Sequence, residues 1–294
     1  MRQAQLKNLA TRYHSPPPQV VRELAEADRP NALALLAQNP LAGVHLHSLI
    51  EDYGFASPKL RGVLVGCFEQ GQLIGVALLG HQILFYCQRP ELFLAFAQKA
   101  SEIQAKGHVI FGPQEKVEAF WRGLEQQGRE TRMVRDHLWC VCTKTALPLS
   151  QMQLRRANLD ELDIAVNAQA ETVIEESGTD PRLADAKGFR ERVATRIKLG
   201  RTWVKIQDGH IVFKAELQSV TPEVAYLEGI WTHPDYRQQG IATQCLNELV
   251  HRLLKQHIAL CLVSEPTDEI ARHVYEKVGF QDSGVYQARF LKPL

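Results

Sequence analysis

No apolar run in this 294-residue sequence approaches the ~20 residues needed to span a bilayer. The segment Met1 to His14 mixes Arg2, Lys7 and Arg12 with polar residues and has no apolar core of the length a secretory signal needs. The expectation is a cytoplasmic protein with no membrane partner. An excess of charge of either sign is also missing: 34 Lys and Arg stand against 33 Asp and Glu, a formal net charge of +1. Nucleic-acid backbones normally require a basic face or stripe, so no nucleic-acid partner is expected. The six cysteines form no CxxC pair. Cys67, Cys87, Cys140, Cys142 and Cys261 lie in apolar strand-like segments and Cys245 in a helix-like one, which suits buried reduced thiols. Cys140 and Cys142 would share a strand face without a second pair, and His45 and His47 would point to different sides of a helix, so no metal is expected. Neither GxxxxGK[ST] nor GxGxxG occurs, which excludes a P-loop and a dinucleotide fingerprint.

What is present is a soluble globular composition, with 45% hydrophobic and 23% charged residues. The length allows two ordinary domains. The stretch TALPLSQMQ, from Thr145 to Gln153, has no helical period and lies between strand-like segments, which places a boundary there and predicts domains 1–148 and 149–294. Behind an extended lead-in at Pro16 to Pro18, the first half reads as a strand near Val20 to Ala25, helices near Arg29 to Gln38 and Leu41 to Tyr53, and strands Gly62 to Glu69, Gln72 to His81 and Ile83 to Cys87. A helix started by Pro90, a strand His108 to Phe111, a helix Glu115 to Gln127 ended by Gly128, and a strand Met133 to Thr143 complete it. The second half repeats the order: strand Met152 to Arg156, helices Leu159 to Glu176 and Lys187 to Leu199, then strands Thr202 to Gln207 and Ile211 to Leu217 around an Asp208-Gly209 turn. Strand Val224 to Trp231, helix Gly240 to Lys255, strand Ala259 to Val263, helix Asp268 to Val278 and a strand near Val285 to Leu291 follow. Both halves read βααβββαβαβ, an order that implies internal duplication.

The segment LEGIWTHPDYRQQGIATQCL ends a strand at a proline turn and enters an amphipathic helix through Arg237-x-x-Gly240-x-Ala242. Small residues at a helix start let backbone N–H groups approach a ligand closely. Those amides, the positive end of the helix dipole and Arg237 together make a site suited to a pyrophosphate. Without further agreement, a glycine there is only a permissive turn. On the preceding strand Glu228 interrupts an apolar face, either as a general base or as a carboxylate paired with a nearby Arg or Lys.

HPDYRQQGIA after a strand, followed some thirty residues later by Ala271-x-x-x-Tyr275-x-x-x-Gly279-Phe280, resembles the GNAT superfamily of acyl-CoA-dependent N-acetyltransferases over roughly Met152 to Leu291. The resemblance implies an α/β (α+β) fold of two tandem GNAT-like domains, each a mixed, mostly antiparallel twisted sheet flanked by helices. It also implies acetyl-CoA as acyl donor, its pyrophosphate on Arg237, Gln238, Gln239, Gly240, Ile241 and Ala242, and its pantetheine arm along Ile230, Trp231 and Thr232. A backbone N–H of that strand end would face the thioester oxygen. The function implied is acetyl transfer to a primary amine, on a small molecule or a peptide or protein, by direct attack in a ternary complex. Glu228 would be the base, directly or through water, and Tyr275 the acid, with packing beside Phe280 as the plain alternative for Tyr275. Neither Cys245 nor Cys261 has an adjacent histidine to make it a nucleophile. Asp268 stands where the family most often has Asn. It can cap the next helix, but its carboxylate cannot donate to the cofactor.

In the first half Cys87-Gln88-Arg89-Pro90 takes the place of the cofactor loop without its glycine, and Leu124 falls opposite Tyr275. That half resembles a degenerate GNAT-like domain. Glu171, Glu175 and Glu176, followed by Gly178, Asp180 and Pro181, lie where such proteins often gather their acceptor, or else form a solvated helix face. Two rival functions remain open: a non-catalytic acyl-CoA-binding regulatory module, and a tandem acyltransferase of thiol biosynthesis. The sequence leaves the oligomeric state and the acceptor open.

Overall fold

The computed structural model describes residues 19–293. Met1 to His14 and the Pro16 to Pro18 lead-in lie outside the described residues. Contacts divide the chain into two compact units. One holds the described residues up to Gln38, Ile50–Met133 and the residues from Arg289; the other holds Asn39–Leu49 and Val134–Ala288.

The first unit contains β1 (Gln19–Glu23), α1 (Arg29–Leu36), the end of α2 (Pro40–Tyr53), β2 (Gly62–Glu69), β3 (Gln72–Gly80) and β4 (Gln82–Cys87). These are followed by α3 (Glu91–Glu102), β5 (Val109–Pro113) and α4 (Gln114–Glu125). The strands run in the order β1-β2-β3-β4-β5, antiparallel except for the parallel pair β4 and β5. Gln70 and Gly71, both at positive φ, make the expected hairpin turn. Phe96 and Phe120 are wholly buried in a core that also takes Leu291, whose N–H donates to His108 O at 2.9 Å.

The second unit takes most of β6 (Thr131–Cys142), then β7 (Arg155–Arg156), α5 (Leu162–Ser177), α6 (Pro181–Lys198), β8 (Thr202–Gln207), β9 (His210–Val220) and β10 (Val224–Thr232). After these come α7 (Ile241–Leu253), β11 (Ala259–Ser264), α8 (Glu269–Val278) and most of β12 (Gln281–Leu291). Its order is β12-β6-β11-β10-β9-β8-β7. The apolar stripe Leu246, Leu249, Val250 and Leu253 of α7 buries against Phe213, Leu227 and Leu260. Val193 and Ile197 of α6 pack in a separate cluster with Val204 and Trp231. Asp208 and Gly209, both at positive φ, turn β8 into β9.

The division of contacts does not follow a cut at 145–153. β6 pairs antiparallel with β11, from Leu260↔Cys142 to Ser264↔Leu138, so residues 134–142 belong with the second unit. β7 is two residues long instead of running from Met152, because side chains take the Met152 backbone: its N–H donates to Glu248 and its carbonyl accepts from Lys205. α6 starts at Pro181, capped by the Asp180 side chain, and breaks at Asp185 (φ −159°, ψ 75°), whose carboxylate caps it again at Gly188 N. Among the described residues no helix is long and apolar enough to cross a membrane, and no group of three or more His, Cys, Asp or Glu could hold a metal ion. All six cysteines are buried and free.

Candidate active site

The parallel pair β10 and β11 is registered over three residues only, Val224↔Ala259, Ala225↔Leu260 and Tyr226↔Cys261. Beyond Tyr226 the strands part, because β11 stays with β6 as far as Ser264 while β10 stays with β9 as far as Thr232. A cavity of about 330 Å³ opens in the gap, walled by Glu228, Gly229 and Ile230 of β10, Leu262 and Val263 of β11, and Tyr275 of α8. The geometry thus brings both proposed catalytic residues into one cavity.

Glu228 is 38% exposed, and that surface opens on the cavity. Its partner in the β9 register is another carboxylate, Glu216, which is buried. Arg196 of α6 lies between them, paired closely with Glu216 and 3.3 Å from Glu228 Oε1. Burial pushes the Glu228 carboxyl up from its ordinary value; Arg196 opposes that rise, Glu216 adds to it and Lys214 opposes it. Both sequence readings of Glu228 therefore coexist: it has an arginine partner, and it faces a cavity with a raised proton affinity.

Tyr275 reaches the same cavity from α8, its ring edge-on to Phe280 with centroids 6.2 Å apart. Burial, then the charge of Asp268, raises its pKa well above that of free tyrosine, so the phenol keeps its proton at neutral pH. Asp268 caps α8 by accepting from Ala271 N at 2.9 Å and is not among the residues that wall the cavity. Gly279 ends α8 at φ +113°, where an added Cβ would lie 2.6 Å from Lys144 O.

The turn before α7 is exposed and left-handed at Gln238 (φ +60°) and Gly240 (φ +77°), the latter serving as N-cap. The amides of Ile241, Ala242 and Thr243 open the helix, where no intrahelical acceptor reaches them. Gln239 Nε2 donates to Asp235 O at 3.0 Å and braces the turn. Arg237 is already engaged: its guanidinium takes both Glu175 oxygens, at 2.7 and 2.8 Å, and Thr232 O at 2.9 Å. Trp231 is buried in the apolar cluster of α6, with its Nε1 3.3 Å from Glu175. That leaves only the backbone of Trp231 for the role the resemblance implies.

Three of the four carboxylates expected to gather the acceptor do other work. Glu175 neutralises Arg237, Asp180 caps α6 and pairs with Arg182, and Glu171 is exposed beside Arg182 at a separate cavity of about 190 Å³. Glu176 alone walls the Glu228 cavity. Partial desolvation at the cavity wall, then the charge of Glu228, raises its carboxyl. The cavity also takes residues that the sequence reading missed: Tyr226 of β10, Arg135 and His137 of β6, and Glu265, whose Oε1 lies 3.4 Å from His137 Nδ1. Tyr226 sits two places before Glu228 on the same strand face and was legible by alternation. Arg135 and His137 enter only through the pairing of β6 with β11, which no local pattern signals.

The sequence model of the acetyltransferase (GNAT) family matches residues 169–280, a span that holds the parted strands, the Gly240 turn and Tyr275. This segment matches the GNAT acetyltransferase family. A family described as a domain of unknown function, DUF4081, matches residues 62–165. Among solved structures, a GNAT acetyltransferase from Colwellia psychrerythraea is 17% identical, with 92% of this chain and 99% of that one covered and a TM-score of 0.56. A GCN5-related N-acetyltransferase from Sphaerobacter thermophilus is 16% identical, with 95% and 98% covered and a TM-score of 0.58. A tandem GNAT protein from the clavulanic acid biosynthesis pathway is 12% identical, with 94% and 100% covered and a TM-score of 0.57. No curated protein matches the sequence. At these identities the structures establish the fold: two GNAT-like units in tandem.

The first GNAT-like unit has the same parted pair, with β4 and β5 registered at Gln82↔Val109 and Ile83↔Ile110 only. Its gap is filled. Counting from the first registered pair of each, Gln82↔Val109 and Val224↔Ala259, Phe85 stands where Leu227 stands in the second unit, and Tyr86 where Glu228 stands. Phe85 stacks on Phe120 at 5.4 Å and meets Phe93 edge-on at 5.1 Å, in a core cluster that also buries Leu124. β3 and β4 pair without a bulge at this point, and Arg89 is bound to Glu69 at 2.8 Å. Because the plug carries core packing, Phe85→Leu should lower stability by about 1 to 2 kcal/mol, read as an earlier melting transition; an unchanged transition would show that the rings are not packed as a core.

Proposed function

We propose that the protein is an N-acetyltransferase that moves the acetyl group of acetyl-CoA to a primary amine, with its chemistry in the second unit. The observation that carries the reading is the convergence of Glu228 and Tyr275 on one cavity where β10 and β11 part. The residues present fit acetyl-CoA: an open helix N-terminus behind Gly240 suits a pyrophosphate, and the β10 edge released from β11 suits the amides of a pantetheine arm. Acetyl-CoA, when bound, supplies the activated acyl thioester. Gln238, Gln239, Gly240, Ile241 and Ala242 hold the phosphates by their backbone, with Arg237 shaping the turn through Glu175 and Thr232. The released edge at Ile230, Trp231 and Thr232 orients the arm.

An amine attacks only when neutral, and its ordinary pKa near 10.4 leaves little of that form at pH 7. Glu228, with its raised proton affinity, takes the proton, directly or through water. Tyr275 gives a proton to the departing sulfur. Cys245 is buried with its thiol pushed up to about 12, which favours direct attack over an acyl-cysteine. Tyr86 in place of Glu228 supports a non-catalytic role for the first unit. Arg196 beside Glu228 is the observation that favours the rival reading of an acyl-CoA-binding module.

Acetyl-CoA turnover against a panel of small amines and peptides, with wild type beside Tyr275→Phe, separates the two readings. The expected result is transfer by wild type and a kcat about a hundredfold lower in the variant at similar KM. Wild type that binds acetyl-CoA and acetylates nothing would leave the binding module as the function.

A further inference from the structure

Burying an ammonium is costly unless its charge is met by partners. Lys214 on β9 has no exposed surface, and the proposed chemistry does not touch it. Burial pulls its pKa down and Glu216, 3.8 Å away, opposes the fall. Its Nζ donates to Gln169 Oε1 at 2.7 Å and to Gly229 O at 2.9 Å. The second contact falls where β10 leaves its ladder: the register passes from Glu228↔Glu216 to Trp231↔Lys214, so Gly229 and Ile230 together face a single residue of β9. Gly229 holds φ +56°, and a Cβ there would sit 3.1 Å from Lys214 Nζ. The left-handed backbone favours glycine at this position, and a side chain there would crowd the ammonium.

In a planar trans peptide the C=O and the following N–H point in opposite directions. With Gly229 O held toward Lys214, the Ile230 N–H turns away from it, and Gly229 and Ile230 wall the cavity that contains Glu228 and Tyr275. We infer that Lys214 is a positioning residue, whose ammonium locks the β10 bulge so that the Ile230 N–H is presented to the carbonyl oxygen of the acyl thioester. This inference rests on the proposed acetyl transfer. Lys214 also belongs to the set of charges around Glu228, with Glu216 on β9, Arg196 on α6 and Glu176 on α5, and removing its charge pushes the Glu228 carboxyl further up.

Lys214→Met keeps most of the side-chain length and removes the charge. The measurements are kcat and KM for acetyl-CoA, the affinity for CoA (which lacks the carbonyl), the melting temperature, and the Ile230 amide resonance during acetyl-CoA titration. The expected result is a kcat lower by roughly tenfold to a hundredfold, with KM and CoA affinity within about threefold. The Ile230 resonance should lose its response to acetyl-CoA, and the acid limb of kcat/KM should move to higher pH. A kcat within about twofold of wild type overturns the inference. So does a parallel fall of kcat, CoA affinity and melting temperature, which marks a merely structural lysine. If the variant does not fold, Gln169→Leu decides: a fall in kcat with CoA affinity intact supports the role, and an unchanged kcat refutes it. Wild type that acetylates no amine counts against the proposed function instead, and the Ile230 titration in wild type then decides for Lys214, an amide unmoved by acetyl-CoA overturning its role.

Discussion

Replacing Glu228 by Gln should lower kcat/KM by about a thousandfold, in the middle of the range for loss of a general base, and should abolish the acid limb of the pH profile. The carboxylate works only when ionised, so wild-type activity rises with pH through the Glu228 pKa. That pKa lies above the ordinary value because the cavity wall desolvates the group and Glu216 repels its charge, with Arg196 only partly offsetting both. The melting temperature at neutral pH should not fall in the variant. A carboxyl whose proton affinity is raised by folding binds more protons in the folded state than in the unfolded one, so its ionisation destabilises the fold as pH rises. Glutamine removes that ionisation and keeps the side-chain shape. The pair of readings separates chemistry from stability. A variant that keeps an acid limb at the wild-type position, or retains activity within about fivefold, would place the base elsewhere.

Gly240→Glu should weaken acetyl-CoA binding by on the order of a thousandfold, measured by calorimetry with CoA and acetyl-CoA. Two effects act together. Gly240 holds φ +77°, where a side chain costs roughly 1 to 2 kcal/mol. The introduced carboxylate would also stand at the open amides of α7, where like-charge repulsion near a protein surface reaches about 4 kcal/mol at 4 Å. An added Cβ meets only Gln244 Nε2, at 3.4 Å, so the fold has room for the change and the loss should appear in binding. Gly240→Ala, with the strain but without the charge, should lose far less. Binding that survives in the Glu variant would move the phosphate site away from this helix.

Much of the fold was legible because it is locally encoded. Gln70-Gly71 and Asp208-Gly209 turn where two adjacent residues take positive φ, and Asp268 and Gly279 begin and end α8 as cap chemistry requires. Glu228 stood out in one dimension as a carboxylate in an apolar strand, and Tyr275 as part of the motif that carries the family resemblance. What escaped depends on partners distant in sequence. Nothing near Glu175 announces that Arg237 will occupy it, and the pairing of Lys214 with Gly229 exists only across two strands. His137 lies on β6, whose pairing with β11 no local pattern names. Strand alternation specifies which residues share a face and leaves the neighbouring strand open.

Leu291 joins the core of the first unit, beside elements that precede it by more than 150 positions. A ribosome releases the chain from its N-terminus, and a domain made of one continuous segment can settle while the remainder is still being translated. That order is closed to the first unit, since its last core side chain emerges after all the residues of the second. The core of the first unit is therefore completed only once the residues of the second have been made.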